Sequence, residues 1–347
     1  MPHPEQRERS GRRVVAGRVV GGLLAAGILL AAGPAGAQGR PVMVYGVIHE
    51  YTLARLMQLY ERQTGGKADF IRLSAGEVAT RVQAERQAPK GDVIFGISRA
   101  IAESMKAQGL LEAYKTPRRA EVPVRYVEPD GYWTGSSLTV QGIAINAERW
   151  KKEMGSTPMP KTWEDLLDPK YQGLIVAPSP LSSGTGFTFV VGQLFRLGEE
   201  KGWEYLKALD RNVRFYTPSG IAPTRMVAAG EFLIAITFAH DALKAIAAGY
   251  PVALVHPAGV SWDIGSVSLI KGGPSPEGAK KFVDWVLGHD PIQLVVDLNF
   301  EGSLRADVSL PLGATPLEKL DLVDYKLEWA AQNRARILKQ WGELFKK

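Results

Sequence analysis

The sequence predicts an α/β fold made of two doubly wound lobes joined by hinge strands. Three observations predict it. Short apolar runs alternate with segments of helical spacing along most of the chain, the pattern of parallel sheets covered by helices. The stretch Thr134–Asn146, TGSSLTVQGIAIN, is long, extended and rich in small residues, as a strand leaving one lobe for another would be. A chain of 347 residues, 45% hydrophobic and 22% charged, is long enough for two cores.

Residues 1–37 read as a signal peptide. Arg12, Arg13 and Arg18 form a basic start, Val19–Ala32 is a continuous apolar and glycine run, and Ala35-Gly36-Ala37 is a small-residue cleavage site. The expected address is the periplasm. With no cysteine there is no lipid-anchored cysteine and no disulfide. The net charge of +6 falls to +3 once the five arginines and two glutamates of 1–37 are set aside, and it lies in no dense run, so nucleic acid is not an expected partner.

Val42–Val47 and Ala68–Leu73 read as strands, with helical spacing between them over Tyr51–Thr64. Ser74 followed by Glu77 is a capping-box pattern opening a helix to about Gln87. Asp92–Phe95 is a third strand and Ile101–Gln108 a helix. Beyond the hinge strand, Gly173–Ala177, Val213–Tyr216 and Leu233–Thr237 read as strands, each followed by a helix start. The helix after Leu233–Thr237 is expected at Ala242–Ala248. Val252–Val255 and Val267–Ile270 bracket a return crossing at Pro257–Gly265, and two helices follow over Ala279–Leu287 and Pro291–Leu298. The expected layout is lobe 1 at 38–142 plus 265–310, lobe 2 at 143–264, and a tail at 311–347, helical from Leu317, packed on the lobes.

Three junctions share one plan: Ser74-Ala75-Gly76, Ser183-Gly184-Thr185 and Ser219-Gly220 each join a strand end to a helix start through serine and small residues. Helix N-termini carry unpaired N–H groups and partial positive charge, and ligands of open α/β sheets sit at strand carboxyl ends. None of the three loops contains lysine or arginine, so the expected cradle is one of uncharged amides and hydroxyls around a small anion. The plainer reading, that each serine only caps its helix, predicts the same residues. His240 and Asp241, and less strongly His49, fall at strand ends where they would meet the organic part of a polar ligand.

Enzyme motifs are missing. Leu181 stands where the first glycine of a nucleophile elbow belongs, no phosphate-binding P-loop is present, and no histidine and acid spacing forms a metal cage. No catalytic residue, cofactor or metal is expected.

The segments SAGEVATRVQAERQAPKGDVIFG (74–96), TWEDLLDPKYQGLIV (162–176), SSGTG (182–186), PSGIAPTRMVAAGE (218–231) and ITFAHDAL (236–243) resemble periplasmic solute-binding proteins of ABC importers. The branch they resemble contains ferric-ion, hexose-phosphate and phosphonate binders. The resemblance implies a type II-like bilobal fold, a small anionic organic solute trapped between the lobes, transient delivery to a membrane permease, and a monomer. Ferric binders of this branch use two adjacent tyrosines near the strand end that holds Phe238-Ala239-His240 here, which disfavours iron. Ferric iron with a synergistic anion and a polyamine-like cation are the alternative cargoes, and a receptor without transport is the alternative class. Hexose-phosphate binders carry Glu-Gly-Thr where Ala258-Gly259-Val260 stands here.

Overall fold

The computed structural model describes residues 40–345, so the expected signal peptide lies outside the described residues. The chain opens with β1 Val42–Gly46, α1 Glu50–Thr64, β2 Ala68–Arg72, α2 Ala75–Ala84, β3 Val93–Ser98, α3 Arg99–Ala107 and a short β4, Leu111–Glu112. The long strand β5, Thr134–Asn146, then leads through α4 Ala147–Glu153 into a second α/β run. That run contains β6 Ile175–Pro178, α5 Gly184–Leu197, α6 Glu199–Asp210, β7 Val213–Thr217 and α7 Ala222–Ala228. It closes with β8 Ile234–Phe238, α8 Ala239–Ala247 and β9 Val252–Val255. Strand β10, Trp262–Ile270, returns to α9 Pro276–Val286, α10 His289–Asn299 and β11 Gly302–Ser303, and α11 Leu327–Leu344 ends the chain.

The strand order β2-β1-β3-β10-β5-β8-β6-β7 makes β5 common to two half-sheets. Its first half, from Thr134 to Val140, pairs antiparallel with β10, and its second half, from Gln141 to Ile145, pairs antiparallel with β8. On one side β1 lies parallel between β2 and β3; on the other β6 lies parallel between β7 and β8. Each half-sheet is covered by helices. Leu53, Leu56, Phe282 and Val286 pack one face of the first, and Val78, Ile97, Ile101 and Met105 the other. The core of the second is built on Trp163, Phe187, Leu206 and Ile234, and the tail adds Ile337 and Trp341 to it.

Three sequence expectations shift. Strand β10 begins at Trp262, so half of the expected crossing is strand, because Asp263 to Gly265 complete the ladder to β5. Helix α8 begins at Ala239, which places His240 and Asp241 inside its first turn. The tail is not helical from Leu317. A single 3-10 turn, Leu317–Lys319, precedes an extended stretch whose backbone pairs with Val260 (Val260 N to Asp321 O, 2.8 Å; Val323 N to Val260 O, 3.0 Å), and α11 follows.

Candidate functional site

The carboxyl ends of the parallel strands of both half-sheets open onto one cavity of about 70 Å³. The first half contributes His49, Arg72, Ser74 and Ala75 to its wall. The second contributes Ser183, Gly184, Thr185, Gly220, His240 and Asp241, and the return segments add Asp263, Asn299 and Glu301.

The helix starts are built as their residues dictate. Ser74 caps α2: its Oγ accepts from Glu77 N (3.4 Å) while Glu77 Oε2 accepts from Ser74 N (2.6 Å). Ser183 caps α5, its Oγ accepting from Gly186 N at 3.3 Å. Capping uses an oxygen lone pair and leaves the O–H free, so both serines can cap a helix and donate into the cavity. The two helix starts touch. Gly76 N donates to Ser182 O at 3.0 Å, and a Cβ on Gly76 would stand 2.8 Å from that carbonyl oxygen.

Two expected residues fall outside the cavity wall. The Gly76 N–H is spent on Ser182, so it does not face a ligand. Ser219 turns its carbonyl to Thr217 Oγ1 (2.8 Å), and α7 starts only at Ala222 with no side-chain cap. Its neighbour Gly220 serves by being small: a Cβ there would lie 2.1 Å from Thr185 Oγ1.

The expectation of a cradle without cations is corrected by Arg72. As the last residue of β2 it reaches the cavity half-buried; its side chain makes no hydrogen bond or close ion pair among the described residues, and the carboxylates of Glu77, Asp241 and Glu50 act on it from further off. Burial, and next the nearby Arg225, hold its pKa below the ordinary arginine value. Arg225 and Lys244 line a larger adjoining hollow of about 540 Å³ that shares His49 and Asp241 with the inner cavity. Lys244 is likewise held low, first by burial. Three cations therefore lie in or beside the cavity.

Acidic groups share the same walls. His49 Nε2 lies 2.9 Å from Asp241 Oδ1, joining the N-cap of α1 to the first turn of α8. Burial opposes ionisation of Asp241, but His240 and His49 outweigh it and hold the carboxyl below the usual range. His240 stacks on Phe238, and its Nε2 lies 3.7 Å from Asp241 and 3.9 Å from Glu301. Asp263 is pushed the other way by burial, although Ser98, Thr188 (3.2 Å) and Arg99 (3.3 Å) all face it. Asn299 and Glu301 flank Phe300, which ends α10 in the left-handed region at φ 61°. For a residue with a Cβ that backbone costs about 1–2 kcal/mol. Among the described residues no group of three histidine or acidic side chains is placed to hold a metal ion.

Arg72, Asp263, Asn299 and Glu301 were not singled out by sequence reasoning. Arg72 carried the one usable signal, a charged residue ending a strand two positions before a capping serine.

A bilobal α/β chain whose two half-sheets share a strand, and whose strand ends enclose a small cavity, has the architecture of a solute receptor. The chain belongs to the family of bacterial extracellular solute-binding proteins, whose description matches residues 88–314. Members bind small solutes and deliver them to ABC permeases; they are transport components, not enzymes. An uncharacterized protein of Haemophilus influenzae is 32% identical over 332 residues, 92% of this chain and 94% of that one. The periplasmic binding protein AfuA of Actinobacillus pleuropneumoniae, solved with fructose-6-phosphate bound, superposes with a TM-score of 0.84 at 29% identity, covering 87% of this chain and 98% of AfuA. Iron-bound HitA of Pseudomonas aeruginosa matches at a TM-score of 0.75 and 18% identity over 87% of this chain and 99% of HitA, a likeness of fold alone.

Proposed function

We propose that this chain is the periplasmic receptor of an ABC importer for a small phosphorylated or phosphonate-bearing solute, exported by a leader at 1–37 and working as a monomer. The observation that carries the reading is Arg72: a half-buried cation whose guanidinium makes no hydrogen bond or close ion pair among the described residues, on the same cavity as the capping hydroxyls of Ser74 and Ser183. A dianion there gains one charge-assisted hydrogen bond from the guanidinium and weaker ones from hydroxyls and helix N-terminal amides. Ser74, Ala75, Ser183, Gly184, Thr185 and Gly220 seat the head group. His49, His240 and Asp241 meet the organic part, because a carboxylate repels a phosphate but accepts from its substituents. AfuA, with a bound sugar phosphate, supports the same ligand class.

In this reading lobe 1 is 38–142 plus 265–310, lobe 2 is 143–264, and 311–347 packs on both. The contacts Gly76–Ser182 and His49–Asp241 then join the lobes in the closed form. Closure selects the shape that the permease accepts. Native mass spectrometry of the protein purified from its own periplasm tests the cargo. The expected result is a bound phosphorus-containing solute of a few hundred daltons; a bound metal ion without phosphorus contradicts the reading.

A further inference from the structure

The anion reading gives Asn299 and Glu301 no task, yet both line the cavity and both are sealed from solvent, at 0% and 4% exposure. Asn299 Nδ2 donates to Glu301 Oε1, while Asn299 Oδ1 is buried without a hydrogen-bond partner. Glu301 makes no close ion pair with a lysine or arginine among the described residues: His240 Nε2 lies 3.9 Å away, and Lys244 acts on it from further off. Buried acceptors of this kind are normally satisfied. The pair is held by unusual backbone. Phe300 between them is the only non-glycine residue at positive φ among the described residues, and directly after the turn Gly302 and Ser303 pair with Leu138 and Ser137 of β5. Strain of this sort persists where the surroundings fix it, and it gathers at ligand sites.

We propose that Asn299 and Glu301 form an acceptor subsite that selects the part of the ligand away from phosphorus, and that this part carries hydrogen-bond donors, hydroxyl or ammonium. The inference rests on the anion reading above. A carboxylate at Glu301 excludes the phosphate itself by like charge, and with one Asn299 Nδ2 hydrogen donated to Glu301 the buried atom left without a partner is an acceptor, Asn299 Oδ1. A site built to accept from a donor rejects an isosteric ligand that lacks one, because its own buried groups are then left unpaired.

The test is calorimetric titration of the mature protein with inorganic phosphate, ethylphosphonate, 2-hydroxyethylphosphonate and 2-aminoethylphosphonate. At least one donor-bearing phosphonate is expected to bind about tenfold or more tightly than ethylphosphonate, and which of the two does so separates hydroxyl from ammonium. Glu301→Gln is expected to shrink that gap to about threefold or less, with ethylphosphonate bound as tightly or more tightly because the like charge is gone. Circular dichroism shows whether the variant is folded; if it is not, the wild-type comparison alone decides. Ethylphosphonate binding as tightly as both donor-bearing analogues overturns the acceptor subsite and leaves the anion seat standing. No binding of any of the four overturns the anion seat, and this subsite with it.

Discussion

Arg72 and Asp241 bring opposite charges to one cavity, and each supports a separate prediction. Replacing Arg72 by glutamine removes one charge-assisted hydrogen bond, worth about 1.5–3 kcal/mol, so phosphorylated ligands should bind about ten- to a hundredfold more weakly. The half-buried position of Arg72 should make the loss persist at physiological salt, which titrations at two ionic strengths check. Ser183→Ala should cost about 1 kcal/mol of stability as a lost cap, seen as a lower Tm, and about tenfold in affinity as a lost donor. A variant that loses stability alone would reduce Ser183 to a cap. Asp241 has a depressed pKa in the folded chain. Its contribution to stability is therefore fully present above the ordinary carboxyl value of about 3.9 and disappears as pH falls through the lower folded value. Thermal unfolding followed downward from about pH 6 should show wild type losing Tm at the acid end more steeply than Asp241→Asn. Parallel curves would show that the histidine contacts do not hold this carboxylate.

At the scale of the element, the start of α2 makes the sharpest case. Gly76 lies in the first turn of α2 at ordinary backbone angles, so with the two helix starts apart alanine suits the helix by about 0.5–1 kcal/mol. With the helix starts in contact the added methyl would meet the Ser182 backbone at 2.8 Å, so this contact must open to admit it. Gly76→Ala should therefore keep or raise Tm while weakening ligand binding, and a variant that binds normally would show that this contact is not part of the bound state. Much of this element was legible beforehand: serine and glutamate three apart announced the capping box, and β5 was bounded at Thr134 and Asn146, where the structure has it. What escaped were residues whose role depends on distant partners. Arg72 sits on a strand, outside the loops that a local reading inspects. Asp263 belongs to a ladder that forms only when β10 returns beside β5. No propensity signals a left-handed turn at Phe300, since a bulky residue there is disfavoured and only tertiary contacts can impose it.

For the whole molecule, the shared strand β5 is the decisive feature. It ties the two half-sheets together, with the cavity between their strand ends. The sequence carried this architecture in its long central strand and its two runs of alternating elements. It did not carry the tail, where the extended stretch pairing with Val260 follows no hydrophobic period that would set it apart from the helix after it. If closure couples to binding, small-angle scattering should show a smaller radius of gyration on adding a phosphorylated ligand to wild type, and no such change in Gly76→Ala. The central claim is that a cationic, amide-lined seat between the lobes holds a phosphorus oxyanion. Calorimetry with fructose 6-phosphate and 2-aminoethylphosphonate, on wild type and Arg72→Gln side by side, tests it most directly. The account predicts a dissociation constant near about 1 μM, about −8 kcal/mol, for at least one of them, weakened at least about tenfold by the substitution; equal affinity in the two proteins, or heat from neither ligand, would contradict it.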